Sequence, residues 1–240
     1  MDRGLYIAAS GMLAEQTRQD QIANDLANSS TPGYKADRSM QASFGSMLLE
    51  NTANDQAIGT LGLGARITST YTDLSPAPLK ETDEPLDLAL DGQGFFAVQT
   101  PAGTRYTRNG QLIVDGTGRL TTATGFPVLD TNGRTIAVGG SDGLEIDANG
   151  VVSRSGRALG TVAVVSLTNP LKQGDTLFAG TPGAKPAGTT VRQGFLEGSG
   201  VDPTKAMVDM ITSLRTYESD QKAISSIDQT LQKGIQAGGV

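Results

Sequence analysis

Apolar positions along this chain change period twice. Between Arg3 and Ala27, Leu5, Ala8, Met12, Ile22 and Leu26 recur at helical spacing, interrupted by Gln16 and Gln19. The segment has no Pro and no Gly after Gly11, so it predicts an amphipathic helix with Asp2 as its N-cap. The helix should stop near Asn28, because Ser29-Ser30-Thr31-Pro32-Gly33 is a run of breakers, and Pro32-Gly33 suits the centre of a type II turn.

The far end has a similar texture. Asp202-Pro203 reads as an N-cap followed by an N1 proline. Met207, Met210, Ile211, Leu214, Tyr217, Ile224, Ile227 and Leu231 then recur at three and four. Met210, Tyr217, Ile224 and Leu231 are seven apart. Met207 and Leu214 are expected to fill the alternate heptad position, which Gln221 and Asp228 spoil further on. Lys233-Gly234 is the expected end.

From about Pro85 to Glu197 the period shortens to two. Leu86, Leu88 and Leu90 alternate with Asp87, Ala89 and Asp91, and Phe95 to Val98 follows a Gly-rich turn. Asn109-Gly110, Asp115-Gly116, Asn132-Gly133 and Asn149-Gly150 lie between apolar runs and predict hairpin turns. Val162 to Leu167 is the best candidate for a buried strand, and no repeat of fixed period is visible. Gln41 to Asp73 is rich in Ala, Gly, Thr and Asn; Ile67, Ser69 and Tyr71 suggest an extended edge. The expected fold class is α+β: long N- and C-terminal helices pairing as a coiled-coil-like domain, with an inserted all-β domain of many short strands. The expected boundaries are 1–35 plus 200–240 for a discontinuous helical assembly domain, 36–84 for an extended connecting arm and 85–199 for the all-β domain.

The helices pose an energetic question. Each is roughly 40 Å long at 1.5 Å per residue. About a dozen sizeable apolar side chains lie on their stripes, each worth roughly 1.5–3 kcal/mol when fully buried. Pairing the two helices alone would bury about half of that area, while backbone ordering costs on the order of 1–2 kcal/mol per residue. The pair is therefore marginal by itself, and needs cover either from the β domain or from neighbouring copies.

Composition then removes chemistry. The chain of 240 residues contains no His, Cys or Trp. That leaves no Ser-His-Asp triad, no thiol nucleophile and no zinc site of the usual kind. Gly139-Gly140-Ser141-Asp142-Gly143 matches a nucleophile pattern, but no His can activate the serine, so a polar loop is expected. Asp91-Gly92-Gln93-Gly94 lacks the third Gly of a dinucleotide fingerprint and reads as a tight turn feeding a strand. Asp130-Thr131-Asn132-Gly133 and Asp147-Ala148-Asn149-Gly150 resemble calcium loops but lack oxygen ligands at Arg134 and Val151, so turns are expected. No carboxylate pair stands out as acid and base. The expectation is no enzyme, no catalytic residue, no cofactor and no metal. The net charge of −6, with both signs mixed along the chain, argues against a nucleic-acid partner. Direct membrane insertion is not expected, and the opening Met1 to Gly11 lacks the basic and apolar regions of a cleaved signal peptide.

Three spaced blocks resemble one family. They are Ile22-Ala23-Asn24-Asp25-Leu26-Ala27-Asn28-Ser29-Ser30-Thr31-Pro32-Gly33-Tyr34-Lys35; Pro85 to Phe96 with Tyr106-Thr107-Arg108-Asn109-Gly110; and Gly194-Phe195-Leu196-Glu197 through Val201-Asp202 to Met207-Val208-Asp209-Met210-Ile211 and Tyr217-Glu218. Together they are similar to the bacterial flagellar rod and hook axial proteins. The opening Met1-Asp2-Arg3-Gly4-Leu5-Tyr6 and the short chain resemble most the proximal-rod subunit of class F, with the distal-rod class G as the alternative. Gly200 and Thr216 depart from the family's usual Asn and Ala.

The resemblance implies a structural basal-body rod subunit. Terminal helices would form the inner wall of a tubular helical assembly, and the β domain would lie outside it. Partners would be itself, other rod subunits and the flagellar type III export apparatus. The tube would cross the periplasm, act as export channel and transmit motor torque. The expected subunit-interface residues are Leu5, Met12, Ile22 and Leu26 on the first helix, and Met207, Met210, Ile211, Leu214, Tyr217, Ile224 and Leu231 on the second. Asn24 and Asn28 either cap and turn the chain or contact a neighbour. A soluble β-domain binding module, with helices folded back, is the rival of another class; a carbohydrate-active enzyme with two carboxylates is a third.

Overall fold

The computed structural model describes residues 2–43, 45–51, 56–62, 64–174 and 176–238, without the side chains of 2–3, 46–51 and 56–62. The proposed Asp2 cap therefore falls outside the described side chains. The chain forms two compact units. One comprises 1–27, 37–71 and 202–240; the other comprises 28–36 and 72–201.

In the first unit, helix α1 (Asp2–Ala27) packs on helix α2 (Pro203–Ala237). Gly4 faces Ile227, Gly11 faces Asp220 and Glu15 meets Ser213, so the two run antiparallel. The Asp202 carboxylate accepts from the Thr204 and Lys205 amides, with Pro203 at the position whose missing N–H costs nothing. α2 runs past the expected stop at Gly234 to Ala237, because Gly238 N–H closes the last turn on the Gly234 carbonyl at 3.0 Å. Strand β1 (Asp37–Ser43) pairs with β4 (Ala65–Thr72), and β2 (Ser46–Asn51) pairs antiparallel with β3 (Gln56–Gly62). The Ala65 amide reaches Ser10 Oγ and Gln41 Nε2 reaches Glu15 Oε1, so the β1–β4 pair lies on α1. Part of the cover that the helices need thus comes from the chain's own 37–71 segment.

That grouping differs from the expected boundaries in three ways. Residues 72–84, expected in the connecting arm, belong to the β unit, where Leu79–Glu81 pairs with Phe195–Glu197. Residues 37–71 join the helices, because their β1–β4 pair bonds to α1. Residues 28–36 join the β unit, because Gly33, Tyr34, Lys35 and Ala36 are buried there.

The second unit is built on a five-stranded antiparallel sheet in the order 164–165, 95–100, 103–107, 177–182, 167–172. Period-two alternation explains its double core. Phe96 and Val98 point into a cluster with Leu88, Leu90, Leu120, Val128, Ile136 and Val152; Phe95 and Ala97 point into another with Tyr106, Leu129 and Phe178. A three-stranded meander (144–146, 151–154, 157–161) and short pairs complete the unit. Val162 to Val164 is buried as expected, but only Val164–Val165 pairs as a strand before Leu167 opens the next one.

Three turns share one device. Asp115, Asp130 and Asp147 each accept, on Oδ1, from the amides two and four residues on, at 2.7–2.9 Å. Those amide bonds favour the charged form and hold all three carboxyls below the usual carboxylate range, although for Asp115 the Thr117 hydroxyl is the largest cause. The calcium-like segments are therefore Asx turns. Asn109-Gly110 is not a hairpin turn, which corrects the expectation. Gly110 O accepts from Leu88 N at 2.9 Å, and any Cβ on Gly110 would overlap the Leu88 carbonyl. Its lack of a side chain serves a close backbone approach, not a turn.

Candidate assembly interface

α2 presents two faces. Its inward seam is Ala206, Met210, Ser213, Tyr217, Asp220, Ile224, Ile227 and Leu231, all buried or half-buried. The spacing alternates four and three over the whole length, the 3.5-residue repeat of a coiled-coil seam. The expected Met210, Tyr217, Ile224 and Leu231 lie on it. The expected partners Met207 and Leu214 do not; Ala206 and Ser213 take that position. Met207, Val208, Ile211 and Leu214 instead remain 53%, 58%, 51% and 43% exposed. They form an apolar ridge on the first three turns, beside the seam.

On α1, Leu5, Met12, Ile22 and Leu26 are half-buried, and Gly4, Gly11, Ala14 and Glu15 also lie on covered surface. The glycines allow close approach: a Cβ on Gly4 would sit 3.3 Å from Ile227, and one on Gly11 2.8 Å from the Asp220 carboxylate. Asn24 is exposed. Asn28 accepts from the Thr31 hydroxyl and amide, both at 3.1 Å, a turn role. The following turn carries the Tyr34 N–H to Thr31 O bond at 3.3 Å, with Gly33 at φ 68°, the type II geometry expected of Pro32-Gly33.

Periodicity missed a second feature. Glu197, wholly buried, accepts from Lys35 Nζ at 2.7 Å, from the Ala77 amide at 2.9 Å and from Arg108 Nη1 at 3.1 Å. Lys35 also donates to Ser75 O at 2.6 Å, and Arg108 to Gly92 O at 2.9 Å. Backbone bonds from Gly33 to Glu197 and from Gly200 to Tyr34 stitch the same two chain crossings together. Burial holds the Lys35 ammonium below the ordinary lysine range, against the opposing pull of Glu197. Lys35, Arg108 and Glu197 each belong to a different one of the three sequence blocks. The available signal was a charged residue set among apolar neighbours, as in Tyr34-Lys35-Ala36. With all three charged side chains buried, this clasp fastens chain segments.

Among the described residues, no three Asp or Glu side chains converge where a metal ion could sit, and no helix is long and apolar enough to cross a membrane.

Three segments of the chain match known protein families. Residues 5–35 match the family model "Flagella basal body rod protein", 89–154 "Flagellar hook protein FlgE/F/G D1 domain", and 192–237 "Flagellar basal body rod FlgEFG protein C-terminal". The chain is 34% identical to flagellar basal-body rod protein FlgG of Bacillus subtilis, over 97% of this chain and 98% of that protein. It is 30% identical to FlgF of Caulobacter vibrioides over 100% and 99%, and 34% identical to FlgF of Escherichia coli over 98% of each.

Proposed function

We propose a specific place in an assembly for this chain, which belongs to the flagellar basal-body rod protein family: a proximal-rod subunit of class F that joins its neighbours through the outward face of its terminal helices. The family is structural, not enzymatic, and its place is the basal-body rod, among other rod components.

The observation that carries the helix-mediated reading is the Met207–Leu214 ridge. Four large apolar side chains in register on a folded helix pair form a patch of the kind that marks an interaction site. In this reading, copies and related subunits cover the ridge and close a tube across the periplasm that carries exported chains and transmits torque. The subunit itself leaves by the flagellar type III apparatus. The class F assignment is supported by the opening Met1-Asp2-Arg3-Gly4-Leu5-Tyr6.

Leu214→Asp tests the ridge. It should abolish rod assembly and motility while the β unit melts as before; normal swimming would refute the role given to α2. Expression in strains lacking either FlgF or FlgG tests the class: motility restored only in the second would reassign the chain to the distal rod.

A further inference from the structure

We infer that the buried Glu15–Ser213 pair sets the rotation of the first three turns of α2, and thereby keeps the Met207–Leu214 ridge turned outward. The inference concerns the seam itself; only its consequence for assembly rests on the rod reading.

α2 is ambiguous in its first half. Tyr217, Ile224, Ile227 and Leu231 suit only the observed seam, because the next residues along are Glu218, Ser225, Asp228 and Gln232. Before Tyr217 the balance reverses. The seam takes Ala206, Met210 and Ser213, while Met207, Ile211 and Leu214 lie one residue further round, about 100° away at 3.6 residues per turn. Apolar burial alone would turn these first turns inward, which is why Met207 and Leu214 look like seam residues in the sequence.

The polar pair opposes that rotation. Glu15 is 7% exposed and Ser213 is fully buried. Ser213 Oγ donates to Glu15 Oε2 at 2.6 Å and lies 3.4 Å from the Glu15 carbonyl. Gln41 Nε2 reaches the other carboxylate oxygen at 3.4 Å, and the Arg18 guanidinium stands 3.9 Å from it. Turning Leu214 inward would remove the shortest of these bonds and set an isobutyl group against a carboxylate already out of water, the costly outcome for a buried charge. A single polar residue at a seam position is a well-attested way to fix register at the expense of stability. Here it holds back the more apolar of two stripes.

The chain has no cysteine, so engineered disulfides report cleanly. Counting one heptad along each antiparallel helix from the Glu15–Ser213 pair places Ile22 level with Ala206. The full-length chain would carry Ile22→Cys with either Ala206→Cys, which reads the observed rotation, or Met207→Cys, which reads the turned one. With Glu15 present the first disulfide should form about tenfold more readily, the scale of a hydrogen bond to a charged group, and Glu15→Gln, which keeps a neutral acceptor, should retain a smaller preference of about threefold. Glu15→Leu should bring the ratio to unity or below. Adding Ser213→Leu to Glu15→Leu should restore the preference for 206, because the seam regains an anchor without the pair. An unchanged ratio in Glu15→Leu would overturn the inference, as would failure of Ser213→Leu to restore it. Motility is read separately: a shifted ratio with normal swimming leaves the seam inference standing and removes the ridge from the assembly reading.

Discussion

Glu197→Gln removes one negative charge from between two buried cations. The Lys35 and Arg108 side chains are 0% and 2% exposed, so neither can turn to water without opening the unit. Ser75 O and Gly92 O would remain as acceptors, but both are neutral. Breaking a buried ion pair from one side costs about 3–5 kcal/mol, a large fraction of the roughly 5–15 kcal/mol that holds a typical domain together. For a unit of this size that lowers Tm by roughly 6–20 °C, at about 2–4 °C per kcal/mol. The cost has a ceiling, because Lys35, already held below the ordinary lysine range, can shed its proton. The sign follows. In the variant, folded Lys35 binds a proton less readily than the unfolded chain, so stability rises with pH as solution pH approaches the unfolded lysine value. Thermal unfolding of the β unit in the full chain, followed by near-UV circular dichroism from pH 7 to 10, should show Glu197→Gln destabilised most at pH 7 and recovering towards pH 10. Lys35→Met/Glu197→Gln should lose less than the sum of its parts. A loss under about 1 kcal/mol at pH 7, below the range for a breached buried pair, would show that the clasp does not hold the fold.

Gly110→Ala should destabilise the β unit by about 3 kcal/mol through overlap with the Leu88 carbonyl, whereas Gly116→Ala, with open space around it, should be nearly neutral; equal effects in denaturant titration would refute the close-approach role. Replacing Asp115, Asp130 and Asp147 together by Ala should lower Tm at pH 7 and flatten its dependence on acid. Their depressed carboxyls contribute stability that is present above the ordinary carboxylate range and is lost as pH falls below about 4. A variant that keeps the native acid profile between pH 5 and 2 would contradict that assignment.

Local chemistry was legible where one short segment decides the structure. The Asp202-Pro203 cap, the Pro32-Gly33 turn and the Asp115, Asp130 and Asp147 turns all formed as their residues dictate. What stayed hidden depends on partners far along the chain. Lys35 and Glu197 are 162 residues apart, and Arg108 and Glu197 are 89 apart. Read singly, each is a charged residue of the kind normally found at the surface. The seam was misread at one position for a related reason. Periodicity counts apolar residues, so it preferred Met207 and Leu214, while the fold used Ser213, whose value lies in the hydroxyl it offers Glu15.

The two hidden features share a logic. Hydrophobic burial is non-directional: it rewards any arrangement that removes apolar area from water and ranks two neighbouring stripes poorly. A chain with 37% apolar and 5% aromatic residues has few large side chains to discriminate with. If seam and chain crossings both relied on apolar contacts, the most apolar helical stripe would turn inward and nothing would remain for a neighbour. Directional contacts separate the two demands. Glu197 requires Lys35 and Arg108 at fixed distances, and Glu15 requires Ser213. Each pairing specifies one internal arrangement while using no exposed hydrophobic side chain. In the proposed rod reading, the ridge on α2 is then free to carry affinity between subunits, which is where a polymerising chain needs its undirected, area-driven attraction.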